Sequence, residues 1–172
     1  MSTTAYSNPH RVELRDPVPE AADLRSAMRL FPTGVALLCT GTGETAVAMT
    51  INALMSVSLT PPRILVSVAH TARALPVLSA SRTFSVHLLG ARQEATAARF
   101  ASREKPAGTA LEGVVERDVL PGALATLRCS VEQVFQGGDH SLFLSRVDSI
   151  GHGAEDDEPL IFHRGTLGSK QR

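Results

Sequence analysis

Apolar and polar residues alternate with a period of two along much of the chain, which is the pattern of half-buried β-strands. Ile64, Val66 and Val68 share one face of a strand predicted over residues 63–69. The same pattern predicts further strands at residues 35–40, 45–52, 84–89, 125–136, 140–150 and 159–163. Gly137-Gly138-Asp139 joins the two longest strands, and glycine supplies the positive φ that a tight hairpin turn needs.

Helical spacing occurs in only a few places. Leu24, Ala27, Met28 and Phe31 follow i, i+3, i+4 and i+7, which predicts an amphipathic helix ended by Pro32 and Gly34. Shorter helices are predicted at residues 75–81 and 93–101. Six or seven strands with two or three helices predict a mainly β fold, a closed or nearly closed antiparallel barrel with helices on its outside.

The length of 172 residues fits one domain, which we assign to residues 20–165. Residues 1–19 are polar, contain three prolines and show no periodicity, so they form a flexible arm in this interpretation. Residues 166–172 are assigned to a flexible tail. The segment 102–122 is rich in glycine, proline and charge, and its pattern predicts no element.

The amino-acid composition argues against several classes of function. Lys and Arg (17) balance Asp and Glu (17), which argues against nucleic acid as the main target. No apolar run approaches the roughly 20 residues that cross a bilayer, and no secretion signal is visible, so a soluble, cytoplasmic protein is expected. Cys39 and Cys129 lie in predicted strands and are interpreted as reduced core thiols. The six histidines are scattered, and no metal site is predicted.

The segment of residues 49–62 is the most informative one for chemistry. It is interpreted as a strand that runs into an irregular stretch rich in Ser, Thr and Asn, stopped by Pro61-Pro62. Backbone N–H groups and small polar side chains in such a stretch can hold a planar heterocycle and a phosphate. The alternative interpretation is an ordinary polar turn.

Several segments, in this order, resemble the short-chain flavin reductases, the small components of two-component flavin-dependent monooxygenases. They are Phe31-Pro32-Thr33-Gly34-Val35, residues 49–62, residues 84–89, Gln93 with Arg99-Phe100, Gly138-Asp139-His140, and Pro159-Leu160 with His163-Arg164-Gly165. The resemblance covers residues 24–165. It implies an FMN-binding split β-barrel of Greek-key type with a few flanking helices, assembled as a homodimer with the flavin near the subunit interface.

The resemblance also implies a set of flavin-binding residues. Carried over position by position, they are Thr50, Asn52, Ala53, Leu54, Ser56, Ser58, His70, Thr71 and Arg73. Arg73 is expected to pair with phosphate, although it also suits the start of a helix. The chain departs from the family pattern at Ala48, Ala53, Met55 and Leu167, where the family often has Gly, Ser, Ser or Thr, and an aromatic residue.

His140 follows the predicted Gly-Gly-Asp turn, where a lone histidine is commonly an ordinary surface residue. The resemblance implies that His140 lies close to the nicotinamide and orients its carboxamide, with His163 and Arg164 as further nicotinamide-binding candidates. His87, in an apolar strand, is interpreted as a hydrogen-bonded core residue.

The implied activity is hydride transfer from NADH or NADPH to free FAD or FMN, and family frequency favours FAD and NADH. A separate monooxygenase would receive the reduced flavin. No Gly-x-Gly-x-x-Gly motif follows a strand here, so the nicotinamide must bind without a Rossmann domain. Two alternatives stay open: a non-catalytic flavin-binding module, and a reductase that retains its flavin and acts on another acceptor such as ferric iron.

Overall fold

A computed structural model describes residues 18–102, 104–111, 120–153 and 157–169. Three α-helices occur in these ranges: α1 Ala21–Met28, α2 Ala74–Ser81 and α3 Glu94–Ala101. The strands are β1 Thr33–Gly34, β2 Ala36–Thr40, β3 Val47–Ile51, β4 Leu54–Leu59, β5 Pro62–Ala69, β6 Thr83–Leu88, β7 Ala125–Gly137, β8 His140–His152, β9 Ile161–His163 and β10 Thr166–Gly168. Short 3₁₀ turns occupy Gly43–Thr45, Ala91–Gln93 and Gly108–Leu111.

Seven strands form one antiparallel sheet in the order β3-β2-β6-β7-β8-β5-β4. Its two edge strands, β3 and β4, are consecutive in the chain and are joined by Asn52 and Ala53. The strands β1, β9 and β10 form a separate small antiparallel sheet. The predicted mainly β barrel with a few flanking helices is confirmed.

The core lies on both sides of the large sheet. Leu38, Val66 and Phe143 belong to a cluster inside the barrel, which Leu78 of α2 also joins. Leu37 and Phe100 belong to a second cluster between the sheet, α3 and the small sheet. Because Ala36 and Leu38 of β2 serve one cluster and Leu37 and Cys39 serve the other, all four are buried, which explains why this stretch is apolar without alternation.

Most predicted elements are confirmed, and three expectations are wrong. The stretch after β3 is not irregular: Leu54–Leu59 forms β4, paired with β5 and interrupted by a bulge between Ser56 and Ser58. Thr166–Gly168 forms β10, so these residues are not part of a flexible tail. Only Gly138 of the glycine pair has a positive φ, at 70°. The strands β4 and β10 escaped prediction because one is rich in serine and the other has three residues, so that pairing with the neighbouring strand, not local pattern, creates them.

The two ends of the chain can be compared with the predictions only in part. Residues 1–17 of the predicted arm and residues 170–172 of the predicted tail lie outside the described residues. Helix α1 ends at Met28, before the predicted boundary, and none of its residues is buried by the rest of the chain. In the described ranges, every helix is too short or too polar to cross a membrane.

Candidate functional site

A groove of about 210 Å³ opens where the end of β3, the helix α3 and the small sheet meet. Thr50 and Asn52 line it from the β3 side, and Phe162 and Leu167 line it from the small sheet. Thr50 Oγ1 donates a hydrogen bond of 2.7 Å to the carbonyl oxygen of Ala97, which ties β3 to α3. The groove therefore contains two of the predicted flavin-binding residues, and Leu167 stands where the family pattern has an aromatic wall.

A second, mainly apolar cavity of about 330 Å³ adjoins this groove. Asn52 lines both, and Leu54 and Phe31 line the second. The carbonyl oxygen of Ala53 accepts a hydrogen bond of 3.1 Å from the N–H of Ser67, which fastens the β3–β4 connection to β5. Asn52 and Leu54 thus line the cavity, and Ala53 between them is held by its hydrogen bond to β5.

Two cations meet near the C-terminal end of α3. Arg73 Nη2 donates to the carbonyl oxygen of Lys105 at 3.2 Å, and Lys105 Nζ donates to the carbonyl oxygen of Phe100 at 3.2 Å. Burial, and then the charge of Arg73, lower the pKa of Lys105. Within the described ranges, no carboxylate forms a salt bridge with either side chain. The pair therefore places two positive charges, suited to a phosphate, beside a helix whose Ala101 lines the groove.

His70, Asp139 and His140 form a polar cluster at the rim of the barrel. His140 pairs with Ala69 across β8 and β5, and the N–H of His70 donates to the carbonyl oxygen of Asp139 at 2.9 Å. Asp139 Oδ1 lies 2.7 Å from His140 Nδ1. This hydrogen bond and the charge of His140 lower the pKa of the Asp139 carboxyl, and the charge of His70 lowers it slightly further. The predicted flavin residue His70 and the predicted nicotinamide residue His140 are therefore neighbours.

The predicted segment 50–58 is only partly near this rim. Ala53 contacts Ser67, two positions along β5 from Ala69 and hence about 7 Å from the His140 pairing. Ser58 pairs with Arg63, six positions from Ala69 and roughly 20 Å away. Only the start of the segment is therefore close to His140, because β4 runs away from the rim as an extended strand.

His163 and Arg164 lie at the turn between β9 and β10. Arg164 has a φ of 53°. Its N–H donates to the carbonyl oxygen of Arg29 at 2.9 Å, and its own carbonyl oxygen accepts a hydrogen bond of 2.6 Å from Arg29 Nη2. The turn thus belongs to the small sheet that supplies Phe162 and Leu167 to the groove. Thr71, the last of the predicted residues, is exposed in the turn between β5 and α2.

Other chemically interesting side chains serve the core. His87 is fully buried, with its ring nitrogens bonded to Ser85 at 3.1 Å and Thr126 at 2.9 Å, and burial lowers its pKa to about 4. This confirms the core interpretation. Both cysteines are buried thiols, as predicted, and burial raises the pKa of Cys129 to about 12. No group of metal-binding side chains occurs in the part of the chain that the structure describes.

Sequence reasoning missed Lys105, Phe162 and Thr33 as neighbours of the site. Lys105 belongs to the segment 102–122, whose pattern predicts no element. Phe162 lies in the strand predicted over residues 159–163, but its pairing with Thr33 of β1 was not predicted, because a strand of two residues carries too little alternation to be recognised. The Phe-Pro-Thr-Gly motif was the one available signal for Thr33.

Comparison with known proteins identifies relatives over most of the chain. A family model described as "Flavin reductase like domain" matches residues 28–170. The NADH-dependent FMN reductase AsuE2 of Streptomyces nodosus subsp. asukaensis is 36% identical over 154 residues, which cover 86% of this chain and 83% of that protein. The reductase component of 4-hydroxyphenylacetate 3-monooxygenase of Thermus thermophilus is 37% identical over 142 residues, which cover 82% and 91%.

The fold is also similar to that of solved structures. The NADH:FAD oxidoreductase SgcE6 of Streptomyces globisporus C-1027 superimposes with a TM-score of 0.81 at 31% identity, covering 94% of this chain and 99% of that one. A further structure of SgcE6 is a complex with NAD and FAD fragments, and it matches with a TM-score of 0.80.

Proposed function

Because the chain belongs to the family of flavin reductase like domains, we propose that it transfers a hydride from NADH to a flavin and releases the flavin reduced. The family and the split-barrel fold expected from the sequence are thereby confirmed. In the reaction, the hydride leaves C4 of the dihydronicotinamide and joins N5 of the oxidised flavin, so that one cofactor is oxidised as the other is reduced. The observation that carries the proposal is the groove lined by the amide of Asn52 and by Ala101 of α3, with the cations Arg73 and Lys105 near the C-terminal end of that helix.

The proposed flavin site offers a suitable group for each part of the flavin. Asn52 offers an acceptor and donors for the polar edge of the ring system, and Phe162 and Leu167 offer apolar surface to its face. Arg73 and Lys105 suit the phosphate, which AsuE2's substrate FMN and SgcE6's substrate FAD both carry. The full proposed flavin-binding set is Thr50, Asn52, Ala53, Leu54, Ser56, Ser58, His70, Thr71, Arg73 and Lys105.

The nicotinamide end is assigned to His140, His163 and Arg164. His140 is the proposed catalytic residue in the limited sense that it touches and orients the nicotinamide. Direct hydride transfer needs no protein acid or base, so its effect is positioning the reacting carbon. Asp139 fixes the imidazole through Nδ1, which leaves Nε2 directed away from the carboxylate.

We also propose a homodimer built on the outer face of β4, β5, β8 and β7. Met55, Leu65 and Leu144 are aligned across three neighbouring strands, and Leu142 and Phe135 are aligned beside them. These positions alternate with the core residues of β5, so the row faces outward and forms a continuous apolar surface. A second copy of this chain would cover it, together with the exposed edge of β4.

The reduced flavin is proposed to serve a separate monooxygenase, as the relative from Thermus thermophilus is the reductase component of one. A cytoplasmic location is proposed with it, because NADH is supplied there and the two cysteines are buried thiols.

The decisive experiment is anaerobic addition of NADH to purified protein with a large excess of FAD or FMN. Multiple turnovers are expected, measured as loss of the visible absorbance that oxidised flavin has and reduced flavin lacks. Bleaching of one equivalent would favour a reductase that keeps its flavin, and no bleaching would favour a non-catalytic flavin module. Repeating the titration with each flavin and each nicotinamide gives the cofactor preference, for which FAD and NADH are expected.

A further inference from the structure

Thr33 and Asn52 connect the two sheets through their side chains. Asn52 follows β3 of the large sheet, and its Nδ2 donates a hydrogen bond of 3.2 Å to Oγ1 of Thr33 in β1. Thr33 is itself paired with Phe162 of β9, so its backbone is held by the small sheet. The hydroxyl of Thr33 is therefore a fixed point against which the side chain of Asn52 is oriented.

The orientation of Asn52 matters because of where it lies. Its exposed side chain borders both the groove of about 210 Å³ and the cavity of about 330 Å³, and Thr33 borders only the cavity. An asparagine amide has one oxygen acceptor and two N–H donors. With one N–H directed at Thr33, the oxygen and the other N–H form the edge that faces a ligand.

We propose that Thr33 is a positioning residue, which turns the carboxamide of Asn52 so that it recognises the pyrimidine ring of the flavin. That ring carries an N3–H donor between two carbonyl acceptors, and an amide oxygen with its neighbouring N–H matches one donor and one acceptor of this edge. The dimethylbenzene end of the flavin has no hydrogen-bonding group to match. The inference rests on the proposed function, and Thr33 acts through Asn52 without touching the flavin.

An unanchored asparagine amide would lose this selectivity, because its terminal torsion has a broad, roughly two-fold preference that leaves both edges accessible. Removing the Thr33 hydroxyl should therefore weaken the hydrogen bond between Asn52 and the flavin N3–H without abolishing flavin binding. A substitution with valine preserves the shape and β-branching of threonine and suits a strand, so it isolates the hydroxyl.

The test compares riboflavin with 3-methylriboflavin, in which a methyl group replaces the N3 hydrogen. KM and kcat for both are measured at saturating NADH in the wild type, Thr33→Val, Thr33→Ser and Asn52→Ala. The wild type should prefer riboflavin, and Thr33→Val should reduce that preference roughly two- to tenfold, mostly through a higher KM for riboflavin. Thr33→Ser should restore the preference, and Asn52→Ala should abolish it.

Thr45→Val is the matched control, since the exposed hydroxyl of Thr45 bonds locally to the carbonyl oxygen of Thr42 and should not affect the preference. Thermal midpoints of all variants separate loss of recognition from loss of folding, and Thr33→Ala replaces Thr33→Val should the latter not fold. If the Thr33 variants keep the wild-type preference for riboflavin and Asn52→Ala loses it, the positioning role of Thr33 is wrong and the placement of the flavin stands. If Asn52→Ala also keeps the wild-type preference for riboflavin, the proposed placement of the flavin is wrong.

Discussion

Asp139 and His140 are adjacent in the chain, yet their side chains bond to each other, with Oδ1 of Asp139 2.7 Å from Nδ1 of His140. The contact is possible because Asp139 is the last residue of the β7–β8 turn and His140 is the first residue of β8. A carboxylate at Nδ1 favours the N–H form of that nitrogen and fixes the plane of the ring. The turn therefore determines how the imidazole is presented at the barrel rim.

The first prediction concerns the role of His140 in nicotinamide binding. His140→Ala should raise the KM for NADH about three- to tenfold, because the loss of one hydrogen bond weakens placement of the carboxamide. Flavin affinity and thermal midpoint should stay close to those of the wild type. His152→Ala, at the exposed far end of the same strand, is the control. Wild-type kinetics at all NADH concentrations would show His140 to be an ordinary surface residue.

The second prediction concerns phosphate recognition by Arg73 and Lys105. Each alanine variant should raise the KM for FMN by roughly 10- to 150-fold, because charge-assisted hydrogen bonds contribute about 1.5–3 kcal/mol. The KM for riboflavin, which lacks the phosphate, should not change. Arg92→Ala is the control, since Arg92 pairs at 3.1 Å with Asp157 instead. Equal weakening of FMN and riboflavin would contradict phosphate binding by these cations.

The third prediction tests assembly through Leu144. Light scattering of the wild type should give twice the mass of one 18.3 kDa chain. Leu144→Glu should shift the mass toward the monomer, since it introduces a charge into the apolar row formed with Met55 and Leu65. Ile150→Glu, farther along β8, should leave the dimer intact. A monomeric wild type would refute the proposed interface.

The fourth prediction is a loss of stability in mild acid caused by His87. Its pKa is about 4 in the folded protein and about 6.5 in an unfolded chain, so between these values the unfolded state binds the extra proton. Stability is therefore full above pH 6.5 and falls as the pH drops, by about 2 kcal/mol at pH 5. Urea unfolding at pH 8 and pH 5 measures this. His87→Gln should flatten the dependence, and His152→Gln should not.

Sequence pattern was sufficient where burial imposes a regular period. Ile64, Val66 and Val68 are buried as their alternation indicates, and the turn at Gly138 carries the expected positive φ. The pattern failed for β4, because an edge strand that carries Ser56 and Ser58 looks like a polar loop until its partner is known.

The candidate site was predictable only in part for the same reason. Asn52 and His140 belong to recognisable motifs, so the sequence identified them. Lys105 meets Arg73 only because the chain after α3 returns toward the start of α2, and Phe162 reaches the groove only through the pairing of β9 with β1. Such contacts depend on tertiary structure, and no local rule encodes them.

The β7–β8 hairpin also bears on how fast this chain can fold. Its two strands of 13 residues are joined by a two-residue turn, whereas the pairing of β5 with β8 and of β6 with β7 must close long stretches of chain. Local contacts form before distant ones because they cost less loop entropy. We therefore expect the hairpin to be formed in the folding transition state and to act as the template on which β5 and β6 assemble.

A matched pair of glycine substitutions would reveal this order of events. Gly138 and Gly43 have φ values of 70° and 50°, and an added Cβ has open space at both positions, so alanine costs about 1–2 kcal/mol of backbone strain at each. Gly138→Ala should slow refolding in stopped-flow experiments and leave unfolding nearly unchanged. Gly43→Ala, in the turn that leads to the edge strand β3, should mainly accelerate unfolding, which would mean that the edge bearing Asn52 is the last part of the barrel to form and the first to open.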